Sequence, residues 1–220
     1  MTHETRRGRI AAAQLTAAGL LFALFPLVRP FPSAGSDTLA QFTDTRWIVA
    51  HLAGAAAFVL VVFAFTAQRV APRATALLGV GVAPVLLYFG AETFALHELG
   101  VLDSATALDL AERIRTGQPQ ATLFAVGLLL VAVGVTAALL VAVRAGRLPT
   151  APAVVLAAGF LLYIPQFFTS PTVRLAHGIL VLVGCVWVGL RFARPTEPDA
   201  APAESSGPPP YSDRSTTTGA

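Results

Sequence analysis

The sequence predicts an all-α polytopic membrane protein: a bundle of six transmembrane helices with short interfacial helices on its outer side. Three observations carry this. The 220 residues are 55% hydrophobic and only 12% charged, against roughly 25% charged in soluble domains. Six apolar runs, 10–28, 47–67, 75–97, 121–143, 151–168 and 173–190, are each close to or within the roughly 17 to 25 residues that cross about 30 Å of hydrocarbon. The arginines flank these runs, and there is no lysine in the chain.

The elements follow in order. Residues 1–9 form a basic N-terminus ahead of the first run. Between the first two runs, Ser36 or Asp37 can cap a short helix reaching Phe42. The connection 68–74 is short, basic and Pro-containing, as a tight hairpin between antiparallel helices requires. After the third run, 103–116 has a capping residue, apolar Ala107, Leu110, Ala111 and Ile114 at helical spacing, and Gly117 as a stop. It reads as an amphipathic helix lying on the outer surface.

The fourth run carries a small-residue packing stripe, Gly127, Val131, Gly134 and Ala138. A short basic loop, 144–150, leads to the fifth and sixth runs. Pro84 and Pro165 lie inside the third and fifth, where each removes a backbone donor. The six-helix domain therefore spans 10–192, and 193–220 is a disordered cytoplasmic tail, too rich in Pro, Ser, Thr and Ala to build a core. Its Pro208-Pro-Pro-Tyr211 string is what such a composition produces by chance.

Alternating the spans places Arg6, Arg7, Arg9, Arg69, Arg73, Arg144, Arg147, Arg191 and Arg194 on one side. Arg29, Arg46, Arg113, Arg115 and Arg174 fall on the other. Nine against five puts both termini in the cytoplasm and the protein in the plasma membrane. The same placement excludes nucleic acid as the reason for a pI near 9.7. The single cysteine, Cys185, excludes an intrachain disulfide. No nucleophile elbow, HExxH helix or phosphate loop occurs.

Glu92 is the one acidic residue inside the six runs. A charge at bilayer depth is costly and marks a functional site by default. Tyr88 shares its helical face at i, i+4. His51, His97 and His177, with Arg46 and Arg174, fall at the same membrane face, and Tyr163 and Gln166 lie in the outer half of the fifth run. An outward-facing polar pocket follows if these helices face one another.

Three readings of that pocket stand. It binds a small ligand, a cation or a proton on Glu92. Alternatively, the chain is a structural or assembly subunit of a membrane complex or a homo-oligomer, with Glu92 paired to Arg46, Arg174 or a protonated histidine. The third is a membrane enzyme holding a metal on His51, His97, His177 and Glu92, or a haem on two of the histidines. The balance leans away from an enzyme.

The layout around Asp44-Thr-Arg-Trp47-Ile-Val-Ala-His51, a Trp and a His entering the second span after a short outer segment, resembles that of the many uncharacterised six-span proteins of high-GC bacteria. The resemblance implies the six-helix architecture and no activity.

Overall fold

The computed structural model describes residues 3–31, 39–69 and 71–194. Ser36, Asp37 and the tail beyond residue 194 lie outside them. The described chain is all helical: α1 (His3–Val28), α2 (Ala40–Thr43), α3 (Thr45–Gln68), α4 (Pro72–Gly90), α5 (Ser104–Thr116), α6 (Gln120–Arg144), α7 (Thr150–Leu161) and α8 (Pro171–Ala193). Five stretches are long and apolar enough to cross a membrane. Their outward side chains, among them Leu20, Phe63, Val80, Leu87, Leu129 and Val183, are large, apolar and exposed, as lipid contact requires.

The long helices close into a ring in chain order. α1 packs against α3 and α8, α3 against α4, α4 against α6, and α7 between α6 and α8. Small residues set the closest approaches. A Cβ on Gly134 would stand 2.7 Å from the backbone nitrogen of Leu78, and one on Gly81 would stand 2.7 Å from that of Val131. The predicted stripe on α6 is therefore where α4 docks. Gly8 lies against the backbone of Phe192, so both described ends of the chain share one end of the bundle.

Two predicted spans are not continuous helices. α4 ends at Gly90, and the chain goes on as a π-helical turn, Ala91–Ala95, and a 3₁₀ turn, His97–Val101. The fifth run stops being α-helical at Leu161, and a turn leads into a 3₁₀ segment, Pro165–Phe168. Pro165 explains this break: it has no N–H to give the carbonyl four residues back, so the ladder cannot run on. At the other end, α1 begins at His3 within the expected N-terminal segment, because nothing in 3–9 breaks a helix.

Both interfacial helices are present. α5 follows its predicted bounds, with Asp103 accepting from the Thr106 N–H at 3.0 Å and Gly117 after its last turn. That hydrogen bond holds the Asp103 carboxyl below its usual value. The cap therefore contributes above about pH 4 and is lost as the pH falls through the lowered value. The shorter α2 covers only Ala40–Thr43. Together with the 3₁₀ turn these helices build a second small core, Leu39, Phe42, Trp47, Leu96, Leu99, Ala107 and Ala111, which roofs the end of the bundle that holds Glu92.

Candidate functional site

Glu92 sits in the π-turn and is 6% exposed. A π-turn inserts an extra residue and loosens the carbonyl ladder, and here the loosened carbonyl of Glu92 is taken by the indole N–H of Trp47 at 2.7 Å. The turn thereby brings the carboxyl group to a histidine and an arginine. Its Oε2 lies 3.1 Å from His51 Nε2, and its Oε1 accepts from Arg115 Nε at 2.9 Å.

The His51 contacts fix a proton count. Nδ1 lies 2.7 Å from the carbonyl of Trp47, which only accepts, so Nδ1 carries a hydrogen. The Nε2–Oε2 contact then holds one further proton, on either atom. Imidazolium with carboxylate and imidazole with carboxylic acid have the same sum, so the His51–Glu92 pair is neutral as a unit. His51 is fully buried in an aromatic box of Trp47, Phe25 and Phe89, with ring centroids at 4.2, 5.3 and 5.6 Å.

Tyr88 plays a positioning part. Its hydroxyl donates to the Arg115 carbonyl at 2.9 Å and lies 3.5 Å from Glu92 Oε1. The shorter contact takes the single hydrogen, so Tyr88 ties α5 to α4 and presents Arg115 to the carboxylate. Tyr88→Phe is expected to cost about 1 kcal/mol, the net worth of one hydrogen bond, read as a small fall in the thermal midpoint of the purified protein.

The remaining predicted residues separate into three places. His97 Nδ1 donates to the Phe42 carbonyl at 3.0 Å and belongs to the roof. His177 Nε2 donates to the Gly159 carbonyl at 2.8 Å; the α7 break frees that carbonyl, since Tyr163 N–H turns to Phe160 instead. Arg46 is exposed and pairs with Asp44 at 2.6 Å, away from Glu92. The metal reading is therefore corrected: among the described residues no three His, Cys, Asp or Glu side chains gather as a metal site. Equal depth did not mean a common face, because α3, α8 and the 3₁₀ turn present their histidines to different neighbours. Of the partners expected for Glu92, Arg46 and Arg174 stand apart while a histidine, His51, is in place, joined by the unexpected Arg115.

A small pocket lies beside this network, lined in part by Phe22, Phe25 and Val181 and not by Glu92, Tyr88, His51 or His97. Arg29, Arg174, His177, Tyr163 and Gln166 line it with Phe31. Arg174 donates to the carbonyls of Thr169 and Phe167 and lies over Phe31. Arg29 is 7% exposed, lies 4.7 Å over the Trp47 ring, and its Nε is buried without a hydrogen-bond partner. Burial pushes this guanidinium down to about 10, so it remains charged at neutral pH.

Arg29, Arg115 and Trp47 were not among the residues expected here. Their sequence positions mark them as helix-end anchors, and nothing local shows that α5 folds back to deliver Arg115. Comparison with protein-family models, curated proteins and solved structures finds no match to this chain.

Proposed function

We propose that this is a plasma-membrane protein with both termini cytoplasmic that binds a small anionic ligand in the outward-facing pocket beside Glu92. The orientation rests on the arginine bias between the two ends. The sign of the ligand rests on charge. Because His51 and Glu92 cancel, Arg29 and Arg174, with no carboxylate beside them in the lining, leave the pocket itself positive. Neither Arg29 nor Arg174 has a carboxylate within ion-pair distance among the described residues.

The observation that carries the reading is Arg29: a nearly buried guanidinium whose Nε lacks a hydrogen-bond partner, in the lining of a pocket it shares with Arg174. Such a donor is costly to leave unmade, and an anionic oxygen satisfies it best. The cavity holds about 10 Å³, enough for about one water. An anionic group therefore enters as the half-exposed Phe31 and Arg174 move aside.

Trp47 reports the event, since Arg29 lies on its ring. In Trp187→Phe protein, which keeps Trp47 as its one tryptophan, methyl phosphate is expected to change the emission saturably. Arg29→Gln in the same background should abolish the change. A flat titration with the parent protein would remove the reading.

A further inference from the structure

The arginine-bearing pocket adjoins a second, larger space. Where α7 stops at Leu161, the 3₁₀ segment Pro165–Phe168 and α8 leave a groove of about 270 Å³ between them. Its walls are almost wholly apolar: Leu162, Pro165, Val173, Ala176 and Leu180, with Thr169. Gln166 and His177 line both the groove and the arginine pocket, so the two spaces adjoin. The wall residues Leu162 and Val173 are exposed on the outside of the bundle.

We infer that the occupant is an anionic lipid, its charged group on Arg29 and Arg174 and an acyl segment along the groove between the 3₁₀ turn and α8. This rests on the anion reading above and adds the tail to it. A charged head beside an apolar channel is the shape of an amphiphile, and a free inorganic anion has no use for the groove. His177 supports the juncture: its hydrogen bond to Gly159 keeps the α7 break open toward α8. Gln166, 7% exposed, marks the depth at which head gives way to tail.

Head and tail are tested separately in Trp187→Phe protein held in neutral maltoside micelles, by titrating methyl phosphate and dodecyl phosphate against Trp47 emission. Dodecyl phosphate is expected to act at a concentration at least tenfold lower than methyl phosphate. Ala176→Phe, which fills the groove at an exposed position, should raise the half-effect concentration of dodecyl phosphate several-fold and leave that of methyl phosphate unchanged. Partition into the micelle is common to both proteins, so the difference between them reports the groove alone. If methyl phosphate binds but Ala176→Phe leaves dodecyl phosphate unaffected, the lipid inference is overturned and the anion reading stands. If neither phosphate binds, both fall. Thermal unfolding of Ala176→Phe close to that of its parent confirms that the loss is not one of folding.

Discussion

Replacing Glu92 with glutamine destabilises the folded chain by about 3 to 5 kcal/mol, the range for breaking a buried ion pair from one side. The carboxylate takes His51 on one oxygen and Arg115 on the other. A glutamine oxygen still accepts from Arg115, and its amide nitrogen donates to His51 Nε2 only after that ring has given up its Nε2 proton, so what is lost is the negative charge. The box of Trp47, Phe25 and Phe89 would then enclose a neutral histidine, and Arg29 and Arg115 would lose their nearby negative charge. The thermal midpoint in micelles should fall by roughly ten degrees. Adding His51→Gln to Glu92→Gln should cost far less than His51→Gln alone, because the two act as one neutral unit. A Glu92→Gln protein within about 1 kcal/mol of the parent would show that the network holds nothing together.

The second large effect lies at the α4–α6 seam. Gly134→Leu drives a side chain into the backbone of Leu78, whose Cα would lie 2.8 Å from the new Cβ. Backbone cannot rotate away as a side chain tip can, so the helices must part. Overpacking of this kind costs about 1 to 3 kcal/mol or more. Gly79→Ala is the matched control on α4: its Cβ would meet only Val62 at 3.9 Å, so the substitution should be neutral or stabilising by up to about 1 kcal/mol. Unfolding of the two variants side by side checks both, and equal destabilisation would refute the seam.

Periodic and local features were legible in the sequence because they depend on neighbouring residues. α5 with its Asp103 cap and Gly117 stop, the α6 stripe, and the shared face of Tyr88 and Glu92 are all of this kind. The breaks were half legible. Pro165 marked a missing donor without saying that the helix would end at Leu161, and the π-turn at Glu92 has no composition signal of its own. The gathering of side chains was the least legible, since depth in a membrane fixes one coordinate and the face around the ring is a second. His51 met Glu92, whereas His97 turned to Phe42 and His177 to Gly159. Arg115 reached Glu92 only because α5 folds back over the bundle and Tyr88 holds it there.

The sign of charge that this end of the bundle accepts separates a carboxylate site for cations from an arginine site for anions. Dodecyl phosphate and dodecyltrimethylammonium share one chain and carry opposite heads. Titrated separately into Trp187→Phe protein in neutral micelles, the phosphate should give a saturable change in Trp47 emission that Arg29→Gln removes, and the ammonium should give none. A saturable response to the ammonium, lost in Glu92→Gln and absent with the phosphate, would contradict the neutral His51–Glu92 pair and the anion site built on it.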